Sequence, residues 1–138
     1  MRPQKIVLYP FIENYTGKKS ADEFKEWSKK HYTGFRHTSN AVITGDILIF
    51  SYKEGPGKWI MVGEATVEDA HSVKSKIGSC FVCDERSEYD NDFKVHILTS
   101  DFHAYKNNLD AKRIGIKLGY FAILTSREYD LVQQAAKA

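Results

Sequence analysis

The stretch from Ile47 to Gly63 constrains this chain more than any other. Ile47-Leu48-Ile49-Phe50-Ser51-Tyr52 and Trp59-Ile60-Met61-Val62-Gly63 are apolar, rich in β-branched and aromatic residues, and separated by Lys53 to Lys58 with Gly55-Pro56-Gly57 inside. Such a pair of arms around a Gly/Pro turn reads as a β-hairpin, entered through the turn-like Gly45-Asp46. A strand with one wet face alternates apolar and polar residues, and these arms do not. Their near-continuous apolar character requires packing on both faces, by flanking elements or by closure into a barrel. Gly63, inside the second arm, marks a bulge or bend at a barrel corner.

The remaining elements are arranged around that hairpin. Ile6 to Ile12 reads as a strand that weakens at Pro10, which has no N–H to offer a ladder. Ser20 followed by Glu23 is a capping box, opening a helix to about His31 with Phe24 and Trp27 on one face and Lys25, Glu26, Lys29 and Lys30 on the other. Gly34 ends that pattern, and Phe35 to Asn40 is polar, basic and aperiodic, a candidate functional loop. Ala65 to Val67 prolongs the second arm, Val73 to Ile77 reads as a short helix or turn, and Phe93 to Leu98 alternates as a strand. Asn108 is placed to cap a helix over Leu109 to Leu118 with Gly119 as its stop. Tyr120 to Leu124 is a last strand, and Thr125 or Ser126 caps a final helix through Tyr129, Val132 and Ala136. At 138 residues, 42% hydrophobic and 28% charged, the chain is read as one domain over residues 1–138, of α+β class.

Several functional classes lose support at this level. No apolar run approaches the roughly 20 residues of a spanning helix, and the first residues lack the apolar core of a secretory signal, so the expected address is cytoplasmic without membrane attachment. Cys80 and Cys83 are too few for a disulfide framework and are expected to be reduced. Together with His96 and His103 they resemble a two-Cys, two-His zinc pattern. Six residues separate the histidines where three to five are needed, however, and His96 falls in a strand pattern, so no metal is assigned. The acidic residues Asp84, Glu85, Glu88, Asp90 and Asp92 read as a solvated loop. There is no P-loop, dinucleotide fingerprint or nucleophile elbow, and no cofactor or catalytic residue is assigned. His31 and His37 flank the loop after the first helix and are read as surface or hydrogen-bonded groups before acid–base catalysts.

What stands out is the distribution of charge and rings. The formal net charge is only +2, yet residues 1–40 carry eight Lys or Arg against four Asp or Glu, while residues 41–100 carry six against ten. The basic end is interleaved with aromatics: Lys25, Trp27, Lys29, Lys30, His31, Tyr32, Phe35 and Arg36, with Tyr52 and Trp59 around the hairpin. Lys and Arg neutralise phosphates, and an aromatic face stacks on an unpaired base for roughly 1–3 kcal/mol. The competing reading makes Trp27 a core residue and the lysines a solubilising face.

Three blocks carry a family resemblance: Gly34-Phe35-Arg36; Gly45-Asp46 running into Ile47 to Tyr52; and Ile60 to Val67. With Gly119 to Leu124 and Ser126-Arg127-Glu128-Tyr129 at the end, they resemble the EVE domain of the PUA-like superfamily, to which YTH and ASCH domains are related. The resemblance implies a pseudo-barrel of mostly antiparallel strands with flanking helices, and a pocket for a base, often a modified one, in RNA or DNA. Position by position it places Phe35 and Arg36, with Ser39 and Asn40, at the pocket rim and Phe50, Ser51 and Tyr52 beneath. The chain departs from the family at its first strand, which lacks a tryptophan, leaving Tyr9, Trp27 or Trp59 to supply the missing wall.

The resulting expectation is a non-catalytic, modified-base reader that binds RNA in preference to DNA, with Lys29, Lys30 and Arg36 on phosphate. An ASCH-like ribonuclease and a small-ligand or protein-interaction module stand as alternatives.

Overall fold

The expected hairpin is the centre of the computed structural model, which describes residues 4–11, 20–31, 34–37, 42–72, 95–116 and 122–138. In chain order the elements are β1 (Ile6–Phe11), α1 (Ala21–His31), β2 (Gly34–His37), β3 (Ile47–Gly55), β4 (Lys58–Ser72), β5 (Val95–Thr99), β6 (His103–Asp110), β7 (Ala122–Leu124) and α2 (Ser126–Lys137). The seven strands form one mixed sheet ordered β2-β5-β4-β3-β1-β7, with β6 also on β4. The β1–β3 pair is parallel, as its crossover through α1 allows, and the other pairs are antiparallel. Among the described strands no ladder joins β2 to β7, so the α+β sheet curls without closing.

β4 holds this sheet together because it is long enough to serve three partners. One edge pairs with β3 from Lys58 to Thr66, while the other takes β6 along Ile60–Glu64 and then β5 along Val67–Ser72. The register slips between Phe50 and Ser51 of β3, where Gly63 and Met61 are the partners and Val62 is the extra residue. The bulge foreseen at Gly63 is therefore real, and the position has no room for a side chain: a methyl group on Gly63 would collide with the Phe102 ring and the His103 carbonyl. Pro10 also behaves as foreseen. Among the described residues β1 pairs with β7 over Ile6–Leu8, and Pro10 lies beyond that ladder.

Both faces of the hairpin are packed. Val7, Phe24, Leu48, Phe50, Tyr52, Val62 and Ile97 form one core under α1, and Leu8, Ile49, Met61, Tyr105, Leu109 and Val132 form a second under α2. Residues adjacent in a strand, such as Leu48 and Ile49, fall into different cores because successive side chains point to opposite faces. Both caps form. Ser20 Oγ accepts from Glu23 N at 3.1 Å, and Thr125 and Glu128 complete a reciprocal capping box on α2. At the hairpin tip Gly57 takes φ +69° behind Pro56, a turn that needs glycine there.

Two expectations fail. The helix expected over Leu109 to Leu118 does not form in its described part, Leu109 to Ile116: β6 continues to Asp110, and a series of turns follows through Gly115 at φ +84°. Asn108 does not cap anything but sits within β6. The edge of β4 offers a ladder for Met61↔Leu109 and Ile60↔Asp110, and Ala111 N bonds to Trp59 O at 3.1 Å. That tertiary pairing outweighs local helix preference. Likewise Gly34–His37, read as loop, is strand β2 paired with β5; a short edge strand needs backbone partners more than an apolar period. Val73–Ile77, Cys80, Cys83 and the acidic stretch lie outside the described residues.

Candidate nucleic-acid interface

The aromatic residues of the first core form a continuous stack. Phe24 lies 5.5 Å from Tyr52 and 6.4 Å from both Phe50 and Trp27, centroid to centroid, with interplanar angles of 25–28°. Phe102 continues the group 4.9 Å from Phe50. Within it Phe24 and Phe50 are fully buried and Tyr52 is 1% exposed. Trp27 is half-buried at the rim of the stack, on the last turns of α1. Tyr9 belongs to the same core and is buried, and the Ser51 hydroxyl donates to the Tyr9 carbonyl at 3.0 Å. Phe50, Ser51 and Tyr52 thus support the wall from inside, and Trp27 and Phe102 are the rings of this group that reach the surface.

Trp59 stands apart. It pairs with Lys53 beside the hairpin tip, and the Lys53 ammonium sits 5.9 Å from its ring centroid. The row Ala70–Ile97–Phe35, which carries the predicted rim, lies eleven residues further along β4, a strand path of about 36 Å at roughly 3.3 Å per residue. Phe35 and Arg36 are consecutive in β2, where they are the register partners of Ile97 and His96 of β5. Ser39 and Asn40 lie outside the described residues.

On α1 the lysines differ in their surroundings. Lys29 is held by Glu26 at 2.8 Å. Lys25, partly covered, has its pKa lowered, first by burial and then by repulsion from Lys29. Lys30 is exposed one turn beyond Trp27, on the neighbouring strip of the helix surface.

No protein-family model matches the chain, and no curated protein matches it. Solved structures do. ASCH from Zymomonas mobilis superposes with a TM-score of 0.64 at 9% identity, over 94% of each chain. Its serine-to-alanine mutant gives 0.63 at 11% identity over 96% of each, and its tyrosine-to-phenylalanine mutant 0.60 at 12% over 95% of this chain and 98% of that one. The fold is ASCH-like.

Against this ASCH-like fold, two features were invisible in the sequence. One is Glu64, whose carboxylate accepts from the Tyr105 hydroxyl at 2.8 Å, from Gln133 Nε2 at 2.6 Å and from the Tyr129 hydroxyl, tying α2 to the sheet. Burial, followed by the Glu64 charge, pushes the Tyr105 hydroxyl well above the ordinary tyrosine range; burial and the hydrogen bond to Glu64 push Tyr129 the same way. The other is Asp46, 1% exposed, whose oxygens accept from Lys5 N and Ile43 N at 3.0 Å each. Its Gly-Asp signal was legible as a turn, but not as a buried carboxylate that locks β1 to the start of β3.

A cleft of about 610 Å³ opens at the first turn of α1, between Asp22, Glu54, Lys58, Asn108 and Arg113. None of the predicted base-binding residues lines it. Its polar groups are largely engaged with one another: Glu54 accepts from Ala21 N and pairs with Lys58, and Asn108 donates to Asp22 at 2.7 Å. Among the described residues no cluster of His, Cys, Asp and Glu could hold a metal ion, and no helix is long and apolar enough to cross a membrane.

Proposed function

We propose that this chain is a nucleic-acid-binding module of PUA-like fold that takes up an unpaired base, RNA in preference to DNA, without covalent chemistry of its own. The observation that carries this reading is Trp27, a half-buried indole stacked on Phe24, which is itself stacked on Phe50 and Tyr52, and bordered by Lys30. A ring held rigidly by other rings loses little entropy when a base stacks on it, and nearby lysines supply phosphate contacts. Phe35, on strand β2, is the second stacking candidate. Arg36, Lys29 and Lys30 contact phosphate, and Ser39 and Asn40, next in sequence after β2, read the edge of the base. A modified base is the specific ligand within this reading, EVE-like in its use of the pocket.

The test is fluorescence anisotropy with labelled single-stranded RNA and DNA, carrying plain and modified bases, between about 50 and 200 mM salt. Binding that weakens steeply with salt is expected, and Trp27→Ala should cost about 10-fold in affinity, within the roughly 1–3 kcal/mol of one base stack. Absence of binding at the lowest salt would overturn the reading.

A further inference from the structure

At the hairpin end of the sheet the half-buried indole of Trp59 stands among cations. Trp59 and Lys53 are register partners on β4 and β3, and each is the strand neighbour of a residue of the first core, Ile60 and Tyr52. Successive side chains of a strand point to opposite faces, so Trp59 and Lys53 share the face away from α1. On its other side Trp59 holds the turn that follows β6. Ala111 N donates to Trp59 O at 3.1 Å, and Ile116 N closes the turn on Ala111 O at 3.0 Å. That turn carries Lys112 and Arg113, both exposed like Lys53; Arg113 also lines the cleft beside α1. Among the described residues none of these three cations is in an ion pair. The nearby carboxylates are turned elsewhere. Glu54 accepts from Ala21 N at 3.1 Å and pairs with Lys58, and Asp110 accepts from Lys112 N inside its own turn.

We propose that Trp59, set between Lys53 and the Lys112–Arg113 turn, is a second contact for single-stranded nucleic acid: a base stacks on the indole and the adjoining phosphates meet the cations. The proposal rests on the nucleic-acid reading and extends it from the Trp27 stack to the hairpin end and the opposite face. An acidic protein would use the cations but gains nothing from a ring between them. A nucleic-acid strand alternates anionic and planar groups, and a ring flanked by cations matches that alternation. The Lys53 ammonium lies 5.9 Å from the Trp59 ring centroid. An exposed cation–π contact of this kind is weak, so a base can displace Lys53, which then pairs with the next phosphate. The ring is held in a paired strand and the turn is closed by backbone hydrogen bonds, so little ordering is left for the ligand to impose.

The test is anisotropy of a labelled single-stranded RNA dodecamer across low to moderate salt, with the unmodified chain, Trp59→Ala, Trp59→Phe and the double variant Lys53→Gln, Lys112→Gln. Trp59→Ala should weaken binding about 10-fold, the size of one base stack, while Trp59→Phe, which keeps a ring, should stay within about 3-fold. The glutamine pair should lower the salt slope by about 1.4, as two lost single-strand phosphate contacts require. Thermal melts run alongside separate lost folding from lost contact; where Trp59→Ala melts early, the glutamine pair, at two exposed positions, decides. Unchanged affinity in Trp59→Ala, or an unchanged salt slope in the glutamine pair, overturns this proposal alone. Polyglutamate of equal charge that binds the unmodified chain as tightly as the RNA overturns it in favour of an acidic protein partner. Failure to bind RNA at any salt overturns both this proposal and the nucleic-acid reading beneath it.

Discussion

The two faces of the sheet are both closed by a helix, and they are closed by different chemistry. Under α1 the contact is a stack of rings, Phe24 against Phe50, Tyr52 and Trp27. Under α2 aliphatic packing is supplemented by a carboxylate, Glu64, that holds two tyrosines and a glutamine. The ring stack is nondirectional and tolerates a partly exposed member at its edge, so a ligand can share it. The Glu64 cluster is directional and its donors are already committed, which suits an anchor more than a binding site. The contrast teaches where to look for function: on the α1 side, where a wall is rigid yet incomplete.

The largest expected effect tests the ring stack. Phe50→Ala removes a fully buried ring flanked by Phe24 and Phe102 and should cost about 3–5 kcal/mol in a denaturant melt. A loss under about 1 kcal/mol would mean that the rings are not the support for Trp27. Next comes the α2 anchor. Glu64→Ala leaves two hydroxyls and an amide without their acceptor and should cost about 2 kcal/mol, with Glu64→Gln milder because one acceptor remains. RNA binding should survive both changes if the two faces are functionally separate.

A smaller effect comes from alkali. Burial, then Glu64, holds the Tyr105 hydroxyl above its unfolded value of about 10. The folded chain therefore keeps a proton that the unfolded chain releases. Stability is fully present below about pH 10 and falls above it by about 1.4 kcal/mol per pH unit. Melts of the unmodified chain and Tyr105→Phe across that range should diverge, and parallel curves would remove the cluster from the account. The smallest effect is expected at Lys30→Ala, which should leave stability within about 0.5 kcal/mol and reduce the salt slope of RNA binding by about 0.7.

How far the sequence could be read depended on the kind of interaction involved. The hairpin, Pro10, Gly63 and both helix caps were legible because each depends on residues close in sequence: arms and tip, a missing N–H, a missing side chain, a hydroxyl three positions from its amide. β6 was not. Its residues Asn107, Asn108 and Leu109 carry no strong strand preference, and they are extended because β4 has a free edge there. The candidate site divides along the same line. Its composition, rings interleaved with lysines on α1, could be read directly. That Trp27 lies at the stack's rim and Trp59 at the far end of β4 could not.

The chain alone thus determined its class, its central hairpin, the position of its helix caps and the basic, aromatic character of its first third, since propensity, turn chemistry and charge are local properties. Tertiary structure decided which rings are sealed and which reach water, which carboxylates are buried, and which strands the long β4 gathers on its two edges. Those outcomes depend on register between strands far apart in sequence, and a one-residue slip there exchanges one face of the sheet for the other.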